Sequence, residues 1–103
     1  MDTIRYKTTE RLRTQNFKGT EILEVRYEQQ GCYAVIICPF CSEHFGKTVR
    51  HYHGVVDQLK PWKGEGLRAP HCDMLELELI LPDGVVLRNI NGYILVYQND
   101  RKG

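Results

Sequence analysis

The sequence has no apolar run close to the ~20 residues that a membrane-spanning helix needs, and residues 1–7 contain no apolar core of a signal peptide. It also has no internal repeat and no low-complexity tract. A formal net charge of +1 over 103 residues gives no general signal for a polyanion partner. These absences predict a single soluble domain in the cytoplasm, without a membrane partner.

Common catalytic motifs are absent as well. The chain has no Ser/His/Asp set, no phosphate-binding P-loop and no dinucleotide-binding fingerprint. A zinc deaminase would need His-x-Glu ahead of Pro-Cys-x-x-Cys, and neither element occurs here in that form. We therefore do not expect an enzyme.

Alternating apolar residues indicate a strand ahead of the cysteine-rich segment. Leu23, Val25 and Tyr27 alternate with charged residues, which is typical of a half-buried strand. A turn at Gly31 leads into residues 32–37, a continuous apolar run that we interpret as a buried strand with Cys32 in the core.

The last third of the chain predicts a three-stranded β-meander. Its first strand comes from the alternation over residues 75–81, and residues 82–84 form a Pro-Asp-Gly turn. The second strand covers residues 85–90, and the Asn-Gly pair at 91–92 is a strong hairpin signal. Residues 93–97 complete the meander.

The predicted fold is therefore mainly β, with a small α+β fold as the alternative. Antiparallel hairpins would carry a zinc ribbon-like knuckle and would be followed by the three-stranded meander. Residues 1–20 are expected to be an N-terminal arm, residues 21–98 a single zinc-stabilised β domain, and residues 99–103 a polar tail.

Cysteines and histidines in the centre of the chain predict a metal site. Cys38 and Cys41 are two residues apart, so both thiolates can reach one ion from a single turn. In a reducing compartment such a pair favours metal or redox chemistry over a disulfide framework. The third ligand would be His51 or His53, which share one face of a strand. The fourth ligand would be Cys72 or His71.

We favour Zn²⁺ in a closed, structural site. Gly54 allows a close backbone approach beside His53, and thiolate is a good zinc ligand, so these considerations favour His53 and Cys72 over their neighbours. The predicted ligands are Cys38, Cys41, His53 and Cys72.

The Cys-Pro-Phe-Cys turn also looks like the redox turn of glutaredoxins, where a helix lowers the pKa of the first thiol. Here residues 42–49 lack a helical apolar period, and residues 46–53 predict a returning strand. A CxxC thiol–disulfide oxidoreductase is therefore the less favoured alternative.

The pattern CPxC…HxHG…GxRxxHC resembles a group of small zinc-binding proteins that are frequent in phage genomes. The resemblance implies a zinc ribbon-like core and no particular activity. It covers about a third of the chain, through residues Cys38, Pro39, Cys41, His51, His53, Gly54, Gly66, Arg68, His71 and Cys72.

Two classes of partner are predicted. The first is a protein, or a second copy of the chain, which would bind the apolar face of the meander that the core does not cover. A phage-type regulatory or inhibitory protein would fit this function. The second is nucleic acid, because basic and aromatic residues alternate between positions 47 and 68. The candidate nucleic-acid contacts are Lys47, Arg50, Lys60, Trp62, Lys63 and Arg68.

Overall fold

The computed structural model describes residues 3–54, 57–69, 72 and 76–97. Within these residues the chain is mainly β, as predicted, with one short helix and two sheets. The strands are β1 (Ile4–Lys7), β2 (Thr14–Phe17), β3 (Thr20–Gln30), β4 (Tyr33–Ile37), β5 (Arg50–Gly54), β6 (Gly66–Arg68), β7 (Leu77–Ile80), β8 (Val86–Arg88) and β9 (Tyr93–Tyr97). Helix α1 spans Pro39–Phe45, and 3-10 turns span Pro61–Gly64 and Asn89–Asn91.

The larger sheet is organised around β3, whose predicted alternation is confirmed. Leu23, Val25 and Tyr27 are buried on its inner face. The strand order is β5-β4-β3-β9-β6, and β2 pairs with the first residues of β3. Because β3 is eleven residues long, it pairs with β2 near its start and with β4 near its end.

The smaller sheet has the order β1-β7-β8 and packs against the same core. The predicted alternation is confirmed for three leucines that are all buried: Leu77, Leu79 and Leu81. The fourth, Leu75, lies outside the described residues. Between the leucines, Glu78 is also buried and pairs with Arg5 at 2.7 Å and Arg88 at 3.2 Å. The two arginines neutralise a carboxylate that would otherwise be costly to bury.

The last strand departs from the predicted meander. Instead of pairing with β8, β9 joins the larger sheet and runs parallel to β3, with Leu23 opposite Tyr93. Tyr93, Ile94 and Leu95 are consecutive and all buried, which suits an interior strand rather than the edge of a meander. Gly92 has a φ of 76°, and a Cβ there would lie 2.3 Å from the carbonyl oxygen of Arg68, so this crossing needs glycine.

Two further expectations are corrected. The segment predicted as an N-terminal arm contributes two strands: β1 pairs in parallel with β7, and β2 pairs with β3. Both are short and mostly exposed, so the apolar period that identifies a strand is missing from them. Cys32, predicted in the core, is exposed at the turn ahead of β4. The predicted polar tail lies outside the described residues.

Neither α1 nor the two 3-10 turns of the described residues has the length and hydropathy that a membrane span requires.

Candidate metal centre

Cys38 and Cys41 are held by the junction between β4 and α1. Cys38 follows the last residue of β4 and is the N-cap of α1, with Pro39 at the first helical position. The backbone N–H of Cys41 donates to Sγ of Cys38 at 3.5 Å, which satisfies one of the free amides of the first turn. Both thiols are buried, and they lie one helical turn apart on the side of α1 that faces the core.

The connection from α1 to β5 brings His51 to these thiols. The amide of Cys38 donates to the carbonyl of Val49 at 2.9 Å, and the amide of Val49 donates to Oγ of Ser42 at 3.0 Å. In the β4–β5 ladder His51 lies opposite Ile36, two residues before Cys38 and on the same face of the sheet. The ladder register therefore positions His51 beside the cysteine pair.

Cys72 completes a cluster of four donors. Its Sγ lies 3.6 Å from Sγ of Cys38 and 4.0 Å from Nε2 of His51. The four donor atoms of Cys38, Cys41, His51 and Cys72 all lie within 4.8 Å of one another. Tetrahedral zinc with Zn–S bonds of ~2.3 Å and Zn–N bonds of ~2.0 Å would separate two sulfurs by about 3.8 Å and a sulfur and a nitrogen by about 3.5 Å. The cluster thus has the size and the donor set of a zinc site.

Hydrogen bonding within the cluster favours a thiolate at Cys72. Hydrogen bonds within the cluster, the strongest of them with Cys38, lower the pKa of the Cys72 thiol to about 5 against the opposing effect of burial. Further hydrogen bonds from Asn89, Cys41 and His51 act in the same direction. The same hydrogen bond with Cys72, together with burial, raises the pKa of Cys38. One sulfur is therefore ready to bind a cation, and a bound ion would remove the protons from the others.

Asn89 connects the cluster to the smaller sheet. This buried residue in the turn Asn89–Asn91 accepts a hydrogen bond from the amide of Leu77 at 2.9 Å through its side-chain oxygen. Its side chain also hydrogen-bonds Cys72. No sequence signal indicates this role for Asn89, because the Asn91-Gly92 pair is sufficient to predict the turn.

The structure places His51 in the cluster, and not His53, which the sequence analysis favoured. The two histidines do share a face of β5, as predicted, but His53 lies opposite Ala34, one pleat farther from Cys38. There its buried Nε2 contacts the Tyr93 hydroxyl at 2.6 Å. The proximity of Gly54 is a weak criterion, since a Cβ at that position would meet no atom of the described residues within 4 Å. The alternative fourth ligand, His71, lies outside the described residues.

A helix does follow the first cysteine, contrary to the expectation from residues 42–49. Pro39–Phe45 forms α1, which ends at Gly46 in the left-handed conformation with a φ of 65°, and the returning strand begins only at Arg50. Capping by Cys38, Pro39 and Gly46 stabilises this seven-residue helix without a long apolar period. Redox turns also have a cysteine at the start of a helix, but here Cys72 and His51 adjoin the Cys38–Cys41 pair.

The candidate nucleic-acid residues between 47 and 68 do not form one surface. Arg50 lies on β5 and Arg68 on β6, which are opposite edges of the larger sheet. Three strands separate them, a distance of about 19 Å at the usual strand spacing. Arg68 is also engaged internally, since it donates to the carbonyl of Gly64 at 2.6 Å.

The remaining candidates lie in other places. Lys60 and Lys63 are exposed around the turn Pro61–Gly64, which is anchored by a hydrogen bond from the Tyr27 hydroxyl to the carbonyl of Pro61. Trp62 belongs to the same turn and is 36% exposed. Lys47 is exposed in the connection between α1 and β5.

No family of known proteins, no curated protein and no solved structure matches this chain.

Proposed function

We propose that this chain is a small zinc protein in which one structural ion, held by Cys38, Cys41, His51 and Cys72, stabilises a binding module. The observation that carries the proposal is the convergence of these four donors within 4.8 Å. Three thiols and one imidazole are a common donor set of structural zinc sites.

The donor count favours a structural ion over a catalytic one. Catalytic zinc usually has three protein ligands and keeps the fourth position for water or substrate. Here four protein donors would fill a tetrahedral shell. Such an ion supplies stability, and the chain's activity would then be binding and not catalysis.

A bound ion would join two parts of the chain that are distant in sequence. Cys38, Cys41 and His51 come from the β4–α1–β5 segment, whereas Cys72 precedes the smaller sheet and is connected to it through Asn89. In small domains burial and chain entropy nearly cancel. Structural zinc sites have apparent binding energies of ~10–16 kcal/mol, which is enough to decide whether such a domain folds.

Partner binding is supported by exposed side chains on the strands that the ion would hold. Tyr33, Ile37 and Tyr52 are each about half exposed on β4 and β5. Aromatic residues that remain exposed on a rigid strand are suited either to a protein partner or to unpaired bases.

The test is native mass spectrometry of protein purified without added metal. We expect one zinc per chain in wild type and weaker or no zinc binding in Cys72→Ser and His51→Gln. Cys32→Ser is the matched cysteine control, because that thiol is exposed and outside the cluster. His53→Gln is the matched histidine control and should retain zinc.

Two outcomes would contradict the proposal. Retention of zinc in His51→Gln and loss in His53→Gln would overturn the ligand assignment. A metal-free wild type in which Cys38 and Cys41 form a disulfide would overturn the structural zinc site and favour the thiol–disulfide function.

A further inference from the structure

Three neighbouring strands present a regular array of side chains on the side of the larger sheet away from the core. On β3, β4 and β5 the core-facing residues alternate with this outer set, and the ladder register aligns the outer residues in rows. We call these nine residues the outer face. The ladders align two full rows across β3, β4 and β5, which are Glu28, Val35 and Tyr52, then Gln30, Tyr33 and Gly54, with Val35 buried between its neighbours. Beyond these rows Ile37 lies opposite Arg50, and Arg26 lies one pleat before Glu28 on β3.

We propose that the outer face binds single-stranded nucleic acid, with bases stacking on Tyr33 and Tyr52 and phosphates meeting Arg26 and Arg50. This inference deepens the proposed function, because it rests on the zinc-held strands and names the class of partner.

The tyrosine end of the face suits base stacking. Tyr33 and Tyr52 are 50% and 51% exposed, and their rings meet edge to face with centroids 6.2 Å apart. Gly54 is directly opposite Tyr33, and a Cβ there would meet no atom of the described part of the chain within 4 Å. An unpaired base can therefore reach the tyrosines, and every base has an aromatic face with which to stack.

The arginine end of the face provides the charge complementarity. Arg50 is exposed opposite Ile37, and Arg26 is exposed on β3, one pleat before Glu28. Two arginines against one glutamate give the nine positions a net charge of +1. Ile37, which lies opposite Arg50, and Tyr33 are four residues apart along β4, which is about 13 Å. Phosphate and base contacts can then be made at successive positions of one strand of nucleic acid.

A cavity adjoins the arginine end. It measures about 310 Å³, and Ile37 and Lys47 are among its lining residues. Glu10 and Glu43 also line it, so its charge disfavours a phosphate. The phosphate contacts are therefore assigned to the arginines and not to this cavity.

Metal binding would fix the position of the strands that carry the outer face. His51 and Tyr52 are consecutive on β5, so the imidazole points to the candidate ion while the phenol ring points to the outer face. On β4, Ile37 directly precedes Cys38. Zinc at the cluster would therefore fix the strands that carry both tyrosines.

The experiment is fluorescence anisotropy with labelled poly(dT) and poly(rU) oligonucleotides of about a dozen bases and with a duplex of equal length. Zinc content is measured on the same samples by native mass spectrometry. We expect the single strands to bind more tightly than the duplex, whose base faces are hidden. Tyr52→Ala should weaken binding roughly ten-fold, and Tyr52→Phe should bind like wild type because it keeps the ring. Arg50→Ala should reduce the dependence of log K on log salt by about 0.7 for the lost phosphate contact.

The control variants are Trp62→Ala and Lys63→Ala, which change an aromatic ring and a cation in the turn Pro61–Gly64, outside the outer face. Both should bind like wild type. Weaker binding in these variants, with normal binding in Tyr52→Ala, would overturn the assignment to the outer face. Equal affinity for duplex and single strand would overturn the stacking mode.

Other outcomes separate this inference from the proposed function. A wild type with one zinc that binds none of the oligonucleotides would overturn the inference alone, and a protein would then be the favoured occupant of the face. A dimer in native spectra that Tyr52→Ala dissociates would also overturn it, since the face would be covered by a second copy. A zinc-free wild type that binds the single strands as described would overturn the zinc proposal and leave the nucleic-acid site standing.

Discussion

The β4–α1–β5 segment and the β1–β7–β8 sheet contact the same core, but different interactions hold them. In the first, a short helix and a five-residue strand converge on a cluster of thiols and one imidazole. In the second, buried leucines pack against the larger sheet, and Glu78 joins Arg5 and Arg88 across the strands. Under the zinc proposal, the first region depends on the ion, whereas the second depends on apolar packing.

Metal removal should have the largest effect and should separate the two regions. With EDTA, we expect β4, α1 and β5 to lose hydrogen-exchange protection, because chelation would remove ~10–16 kcal/mol of apparent metal-binding energy. Three thiols and one imidazole would then remain without their ion. β7 and β8 should lose less protection, because their contacts are mainly apolar. Hydrogen-exchange mass spectrometry with and without chelator measures this difference. Equal loss in both regions would show that the protein unfolds as one cooperative unit.

Leu79→Ala should destabilise the smaller sheet without affecting the ion. Leu79 is 1% exposed, and truncation of such a leucine costs about 2–5 kcal/mol through lost burial and the cavity left behind. We expect a lower denaturant midpoint in chemical unfolding and one zinc per chain in the folded protein. The exposed Val86→Ala on β8 is the control and should change stability little. Loss of zinc in folded Leu79→Ala would mean that the two regions are coupled more closely than this comparison implies.

Tyr93→Phe should have the smallest effect and tests the role given to His53. The substitution removes the hydroxyl that contacts Nε2 of His53 at 2.6 Å and keeps the buried ring. Loss of a buried hydrogen bond costs about 1–3 kcal/mol. Thermal unfolding should therefore shift by several degrees, while zinc stoichiometry stays at one. A change in zinc affinity as large as that in His51→Gln would instead place His53 in the metal site.

Local patterns were sufficient to predict part of the site and most of the strands. Two thiols at the spacing of Cys38 and Cys41 reach one point from any tight turn or helix start, so this pair needed no tertiary information. The choice between His51 and His53 needed the pairing of β4 with β5, because the two residues share a face and differ only in which residue of β4 lies opposite. Sequence spacing contains no information about that register.

The sequence by itself determined the fold class, the core-facing alternation of β3 and β7, and the cysteine pair, because these depend on side-chain period and on contacts within one turn. Only the tertiary structure decided that β9 leaves its hairpin neighbour for β3, that β1 and β2 join the sheets, and that Asn89 contacts Cys72. Those outcomes depend on which surfaces remain free after the core packs, and no single segment carries that information. The same reason explains why Arg50 and Arg68, close in sequence, lie on opposite edges of one sheet.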